Sequence, residues 1–242
     1  MFNNATVKQW QKLQKLCKLF FLQHRYLIIQ DIKLLSNTNN IFFGTDSLKL
    51  SATNPIFRYL QNIWLTGTFK AHSNIIHSTR LISKISHCDI HTLSVAHYLV
   101  ETDFDILTAS GNIKILSING VVDESGDFIP VENIISKIPK AHNIEIRRSH
   151  VTRKTMRKLL GISHKAKLKN FMLQKVDDLV NVNDYYSFLK INAEKNAKFW
   201  VDFYDDDAHQ SDSKKFRAMI NKKLKSWQPQ AEKPKFSKIS LF

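Results

Sequence analysis

The stretch from Ile146 to Lys175 holds ten lysines and arginines and no aspartate or glutamate. Their ammonium and guanidinium groups can neutralise phosphates and release the counterions of a nucleic acid. Charge of one sign at this density repels itself unless an anionic partner compensates it. We therefore predict contacts with nucleic acid, DNA more than RNA, from twelve residues of this stretch: Arg147, Arg148, Arg153, Lys154, Arg157, Lys158, Ser163, His164, Lys165, Lys167, Lys169 and Asn170.

The same stretch has the outline of a helix-turn-helix unit. Thr152 or Thr155 caps a first helix that ends at Gly161, and Ser163 caps a second, basic helix. In such a unit the second helix lies in the major groove and reads bases. Arg157 departs from the pattern, because a small residue usually occupies the position four before the turn glycine.

Arg80 and His87 are a candidate pair for phosphodiester cleavage. A histidine can transfer protons while an arginine holds the scissile phosphate. The R-x6-H spacing resembles the Arg–His pair of HEPN-type helical ribonucleases, and the resemblance implies metal-independent RNA cleavage. Leu81 departs from that family, which usually has a polar residue directly after the arginine. We keep this activity as an alternative to non-catalytic binding.

Five histidines between positions 72 and 97, together with Cys88 and Asp89, are the candidate metal ligands. His87 and His91 have a spacing that can share a helix face, but neither H-E-x-x-H nor C-x-x-C occurs. We expect neither a metal nor a cofactor. Cys17 and Cys88 are far apart, which favours reduced thiols and a cytoplasmic protein.

The last five residues end a segment that contains Pro229 and Pro234. Ile239-Ser240-Leu241-Phe242 resembles the peptide by which bacterial replication and repair proteins bind the DNA sliding clamp. That motif favours Gln, Leu, Ser or Asp, Leu, Phe, and Lys238 replaces the glutamine, which puts the polar anchor in doubt. The resemblance implies that Ile239, Leu241 and Phe242 fill an apolar pocket of a clamp. The alternative is a tail that folds onto its own core or onto another subunit.

We predict that the elements that position these residues are helices. Six glycines and five prolines in 242 residues are few, and this favours helices over a turn-rich all-β fold. Apolar residues at spacings of three and four predict helices over five ranges: 7–36, 54–65, 70–85, 89–101 and 214–227. Gly44-Thr45-Asp46 predicts a hairpin over 41–50, and Asn119-Gly120 predicts a β-meander over 113–131. We detect no internal repeat.

The predicted fold is therefore mainly α with a small β-meander (α+β) and a helix-turn-helix-like basic unit. We expect a helical domain with the meander over 1–140, the basic unit followed by acidic, aromatic helices over 141–227, and a flexible tail over 228–242.

The net charge is +15, the pI is near 9.8 and 43% of the residues are apolar, which describes a basic globular protein. The sequence contains no run of 18 uncharged apolar residues, so we predict no transmembrane helix. We predict a non-catalytic DNA-binding protein of bacterial, phage or mobile-element type, linked to replication through its tail. The alternatives are an RNA-binding or ribosome-associated protein and a HEPN-like ribonuclease. The oligomeric state is left open.

Overall fold

The computed structural model describes Gln9, Lys12 and the ranges 26–35, 42–43, 46–51, 54–72, 74–178, 180–204 and 207–236. These residues form an 11-stranded, mostly parallel sheet, a second sheet of two strands, and helices between the strands. The fold is α/β, so the prediction of a mainly α protein is wrong.

The strands and helices alternate along the chain. The strands are β1 (Leu27–Leu35), β2 (Phe42–Phe43), β3 (Ser47–Ser51), β4 (Ile63–Ala71), β5 (Ile85–Cys88), β6 (Thr92–Val95), β7 (Leu99–Val100), β8 (Ile115–Ile118), β9 (Val121–Val122), β10 (Asn143–Ile146), β11 (Leu168–Val176), β12 (Ala193–Phe203) and β13 (Lys235–Phe236). The α-helices are α1 (Ile75–Ile82), α2 (Glu101–Thr108), α3 (Val131–Ser136), α4 (Thr155–Leu160), α5 (Val182–Asn192) and α6 (Asp207–Lys225). Short 3-10 helices cover Pro55–Tyr59 and Gln230–Glu232.

The main strands follow one another across the sheet in the order β1, β4, β6, β8, β10, β11, β12, β13, and all of these pairs are parallel. A helix lies between each pair from β4 onward. Six residues that align across β4 to β12 are 23 to 28 positions apart: Thr68, Thr92, Ile115, Asn143, Asn170 and Lys198. The chain is therefore a solenoid of stacked strand–helix units, each packed on its neighbours.

Alternate residues of each strand form the core. Phe69, Leu93, Leu116, Ile144 and Phe171 align across five strands and are buried. Buried side chains of the helices belong to the same hydrophobic cluster, so we call this side of the sheet the helix layer. The other alternate residues are mostly polar and define the open face of the sheet.

Parallel strands give the sheet two distinct edges. The segments that lead into the strands, with the end of α5 and the first residues of β11, β12 and β13, form what we call the lower edge: residues 109–114, 139–142, 161–169, 191–198 and 228–235. The loops that follow the strands form the upper edge, which includes 119–130, 147–154 and the described residues of 177–181. Each helix runs from the upper edge back to the lower edge.

The helix-turn-helix prediction is wrong. Helix α4 ends at Gly161 as expected, but the predicted second helix is strand β11. Phe171 and Leu173 point into the core while Asn170 and Met172 lie on the open face, which is the alternation of a strand. Leu168, Phe171 and Met172 imitate helical spacing because a short apolar run fits both periods.

Other predicted helices are wrong at least in part. In the range 7–36 the described residues Gln9 and Lys12 are helical, but the end of the range is strand β1. The range 54–65 holds a 3-10 helix and the start of β4, and 89–101 holds β6 and β7. Helix α1 lies inside the predicted range 70–85, and α6 covers most of 214–227. The predicted hairpin is confirmed, since β2 and β3 pair antiparallel.

The predicted meander is wrong in its first turn, whereas its second turn forms, since Val122 and Phe128 make an antiparallel bridge. Strand β8 pairs with β6 and β10, while β9 pairs in parallel with β7, so Asn119-Gly120 does not close a hairpin. Gly120 has a φ of 103°, which favours glycine, and turns the chain out of β8 at the upper edge. A Cβ at this position would lie 2.8 Å from the Phe128 ring. The predicted boundary between 140 and 141 falls between β8 and β10, which pair directly.

Candidate nucleic-acid interface

The basic stretch is distributed around one unit of the solenoid. Arg147, Arg148, Arg153 and Lys154 follow β10 on the upper edge, whereas Arg157 and Lys158 lie on α4. The remaining lysines of the twelve, with Ser163 and His164, lie in the lower-edge loop before β11 or at its start. The stretch therefore contributes to two opposite edges, and its residues do not share one face.

The upper-edge arginines are engaged by neighbouring side chains. Arg147 donates from Nε to Glu145 Oε1 at 3.0 Å and from a terminal nitrogen to Ser117 Oγ at 3.4 Å. The Arg148 guanidinium lies 5.8 Å from the centre of the Phe128 ring. These contacts hold both arginines on the protein surface.

The cations near α4 have two different environments. Lys158 makes a 2.9 Å ion pair with Glu132 of α3, whose side chain is only 4% exposed. Arg153, Lys154 and Arg157 are exposed and make no ion pair with any residue that the structure describes. Lys158 therefore has a structural partner, while the other three are free surface charges.

The lower edge is the strongly basic one. It carries nine lysines and two glutamates: Lys114, Lys140, Lys165, Lys167, Lys169, Lys195, Lys198, Lys233 and Lys235, with Glu194 and Glu232. The described upper-edge loops carry four basic and five acidic residues: Arg147, Arg148, Arg153 and Lys154, with Asp123, Glu124, Asp127, Asp177 and Asp178. The charge of the solenoid is thus concentrated at one end of its strands.

Backbone hydrogen bonds join three of these segments to one another and to the residue before β6. Lys114 donates its amide to the carbonyl of His91 at 2.8 Å, and His142 donates to that of Lys114 at 3.0 Å. Lys169 then donates to the carbonyl of His142 at 2.7 Å. Consecutive strands begin about 4.8 Å apart, so the lysines of successive loops form a continuous band.

Most lower-edge lysines have no side-chain partner among the described residues. Lys140 donates to Asn112, Lys167 donates to the carbonyl of Ile191, and Lys169 lies 3.9 Å from Glu194. The other six make no side-chain hydrogen bond or ion pair with the described part of the chain: Lys114, Lys165, Lys195, Lys198, Lys233 and Lys235. Cations near a helix C-terminus interact favourably with the helix dipole. Among the lower-edge lysines, Lys167 is the one whose ammonium group donates to a terminal helix carbonyl in the described part of the chain.

Two predicted base-reading residues have internal roles. His164 Nε2 lies 2.6 Å from the carbonyl oxygen of Ala141, and burial lowers the pKa of this histidine, which keeps it neutral at pH 7. Asn170 donates from its side chain to Asn143 at 2.6 Å. Ser163 is exposed but caps no helix. None of these three residues lies on a helix.

Arg80 and His87 lie on different layers. Arg80 is exposed on α1 in the helix layer. His87 lies on β5, and its ring contacts Trp64 and Tyr26, with ring centres 5.4 and 4.9 Å away. Trp64 alternates with the buried residues of β4, so this aromatic cluster is on the open face. The structure does not bring the predicted Arg–His pair into one site.

A serine and a histidine do meet in the fold. Ser78 Oγ lies 2.8 Å from His97 Nε2, while His97 Nδ1 lies 2.6 Å from the carbonyl oxygen of Tyr98. This arrangement assigns the proton to Nδ1 and makes Nε2 the acceptor. Ser78 is 0% exposed, however, so its hydroxyl cannot reach a substrate. The pair joins α1 to the loop after β6 and is structural.

Sequence reasoning missed a second basic cluster, on the open face. Lys33, Lys49 and Lys70 are register partners on β1, β3 and β4. No local pattern in the sequence distinguishes these lysines, because they come from three separate strands that only the sheet topology makes adjacent.

The tail residues Ile239, Leu241 and Phe242 lie outside the described residues. Among the residues that the structure describes, no three His, Cys, Asp or Glu side chains are grouped to hold a metal ion. None of the described helices is both long and apolar enough to cross a membrane. Comparison of the chain with protein-family models, curated proteins and solved structures finds no match.

Proposed function

We propose that this protein is a non-catalytic nucleic-acid-binding solenoid that holds the phosphate backbone along its lower edge. The observation that supports the proposal is the band of nine lysines and two glutamates on five consecutive loops. Six of those lysines have no partner among the described residues, so they are available to phosphates. The described upper-edge loops carry five acidic and four basic residues, so they should contribute less.

The chemistry of the band favours binding without sequence preference. Lysine acts on a phosphate as a point charge, whereas base reading relies on bidentate side chains held in a groove. The described lower edge consists of loops, strand ends, the end of α5 and the short 3-10 helix Gln230–Glu232, and none of them has the form of a recognition helix. Affinity should come from counterion release and fall steeply with salt. DNA and RNA are both candidate ligands. Comparing the affinity for a DNA duplex with that for an RNA duplex distinguishes them.

Two sets of substitutions within the basic stretch test this proposal. Lys165, Lys167 and Lys169 are changed together to Gln on the lower edge. The control changes Arg153, Lys154 and Arg157 to Gln, which removes the same charge from exposed positions elsewhere. Fluorescence anisotropy with a labelled duplex at low salt gives the affinity of each variant, and thermal melting checks that both are folded.

The lower-edge variant should bind at least tenfold more weakly than the parent chain, and the control should lose less than threefold. Equal losses would mean that net charge alone drives association. A larger loss in the control would place the interface at the upper edge and contradict the proposal. No binding of DNA or RNA by the parent chain at low salt would exclude nucleic acid as the partner.

The replication link through the tail is part of the proposal. A peptide of the last ten residues should bind a bacterial sliding clamp, and Leu241→Ala with Phe242→Ala should abolish this binding. Binding of nucleic acid should be unchanged in that variant. Loss of thermal stability without clamp binding would favour a tail that docks on its own protein.

We also propose a reducing, cytoplasmic location. Cys88 is a free, half-buried thiol. Burial raises the pKa of this thiol to about 12, so it is protonated and unreactive at neutral pH. Separation of cytoplasmic and membrane fractions of the source cells tests this assignment.

A further inference from the structure

Three lysines stand side by side on the open face, far from the lower edge loops of β8 to β13. Lys33 of β1 is the register partner of Lys49 on one side and of Lys70 on the other. Because neighbouring strands are about 4.8 Å apart, the three side chains leave the sheet within about 10 Å of one another. We call Lys49, Lys33 and Lys70 the lysine row.

A second row of polar groups lies beside the first. Asp31 precedes Lys33 by two residues, which puts it on the same face, and its register partners are Ser47 and Thr68. The two rows line a shallow depression of about 320 Å³. Lys49 and Lys70 are exposed, whereas Lys33, Ser47 and Thr68 are half-buried. The depression therefore presents three ammonium groups, two hydroxyls and one carboxylate.

These polar groups have no side-chain partners among the residues that the structure describes. The lysines, hydroxyls and carboxylate of the two rows make no side-chain hydrogen bond or ion pair within the described part of the chain. Like charges directly opposite one another on a sheet are destabilising. A solvated surface would tolerate one lysine at any of these positions, but three aligned lysines cost stability that an anion would restore.

The backbone fixes this arrangement. The register between β1 and β4 shifts by one residue between Ile29 and Asp31, opposite Gly67. A Cβ on Gly67 would lie 2.7 Å from the carbonyl oxygen of Gln30, so only glycine allows the strands to approach at the bulge. The bulge brings Asp31 and Lys33 into register with Thr68 and Lys70.

We propose that the lysine row binds a phosphate dianion, free or as a phosphomonoester. Three ammonium groups and one carboxylate leave a net charge of +2, which a dianion balances. The ammonium groups donate to phosphate oxygens as point charges, and the hydroxyls of Ser47 and Thr68 add neutral donors. An internal phosphodiester of a nucleic acid carries one negative charge and leaves the row partly uncompensated. The site therefore takes a terminal phosphate, and it is separate from the lower edge.

The test uses the full chain and inorganic phosphate at pH 7.5 in a low-salt buffer. Isothermal titration calorimetry measures affinity, and thermal melting with and without phosphate measures stabilisation by mass action. The test variant is Lys33→Gln with Lys70→Gln. The control variant is Lys222→Gln with Lys225→Gln, two exposed lysines of α6.

The parent chain and the control should bind phosphate saturably, and the test variant should bind at least tenfold more weakly. In the absence of phosphate, the test variant should melt at a higher temperature than the parent, since a like-charge contact is removed. That second result also shows that the variant is folded. No saturable binding by the parent, or equal binding by the test variant, would overturn the proposal.

Oligonucleotides with and without a 5′-phosphate distinguish the two sources of the dianion. A strong preference for the phosphorylated end that is lost in the test variant would identify a nucleic-acid terminus as the ligand. Equal affinity for both oligonucleotides, with inorganic phosphate bound, would identify a free phosphate or another phosphomonoester. The lower-edge variant Lys165→Gln, Lys167→Gln, Lys169→Gln should keep its phosphate binding in either case, so the two proposals fail independently.

Discussion

Asn170 of β11 donates a 2.6 Å side-chain hydrogen bond to Asn143, its register partner on β10. This amide pair links two neighbouring units of the solenoid on the open face. Asn170 was predicted to contact bases, and its hydrogen-bonding geometry gives it a structural role instead.

Asn170→Ala should therefore lower the free energy of unfolding by about 0.5–1.5 kcal/mol, the usual net contribution of one hydrogen bond. Affinity for nucleic acid should change by less than twofold. Urea denaturation and anisotropy measure the two quantities on the same sample. A selective loss of nucleic-acid affinity with unchanged stability would return Asn170 to the interface.

The ion pair between Lys158 and Glu132 makes a second prediction. Glu132 is 3% exposed, and its Oε2 accepts no hydrogen bond from the described residues. Lys158→Met should destabilise the protein by about 1–3 kcal/mol, because it leaves a buried carboxylate without its cation. Adding Glu132→Gln should recover most of that loss in urea denaturation. An unchanged stability of Lys158→Met would show that the pair is a surface contact, free for phosphates.

Histidine burial predicts that acid destabilises the fold. Burial lowers the pKa of His97 and of His164 below the ordinary value of 6.5. The neutral forms are favoured by folding, so their contribution is present above pH 6.5 and is lost as the pH falls through the folded-state pKa values. Burial raises the pKa of Asp103, an effect that opposes this trend. Melting temperatures should fall between pH 7 and pH 5.

The variant His97→Asn with His164→Asn identifies the source of that pH dependence. Its melting temperature should fall less steeply between pH 7 and pH 5 than that of the parent chain, even if it starts lower. The same slope in both proteins would assign the acid sensitivity to other groups.

Gly67 supports both the fold and the phosphate site. Gly67→Ala should cost about 1–3 kcal/mol of stability, the usual effect of overpacking, because the added methyl group meets the Gln30 carbonyl. The bulge would shift, and phosphate affinity at the lysine row should fall as well. Denaturation and phosphate titration check the two effects. An alanine variant with parent-like stability and affinity would show that the bulge does not fix the site.

The sequence indicates the chemistry of single segments better than their arrangement. Gly161 ends a helix as predicted, and β2 and β3 form the predicted hairpin, because capping and turn residues act locally. Strand β11 was predicted as a helix because nine residues with apolar positions at mixed spacings fit both periods. The solenoid repeat was not detected because its units share buried apolar positions without a shared motif.

The candidate interface was predictable only in part. Lys165, Lys167 and Lys169 are recognisable as a basic run, and they do lie together on the lower edge. Lys114 and Lys195 join them from other loops, and that neighbourhood depends on parallel strand order. The lysine row is harder still to foresee, since its members are joined only by the register of three strands.

The most direct test of the lower-edge interface is lysine footprinting by mass spectrometry. Each lysine is acetylated with and without saturating duplex, and its rate of modification is compared. Lys165, Lys169, Lys195 and Lys198 should be protected severalfold, while Lys154 on the upper edge keeps its rate. Protection of Lys154 with unchanged rates at the four lower-edge lysines would contradict the account.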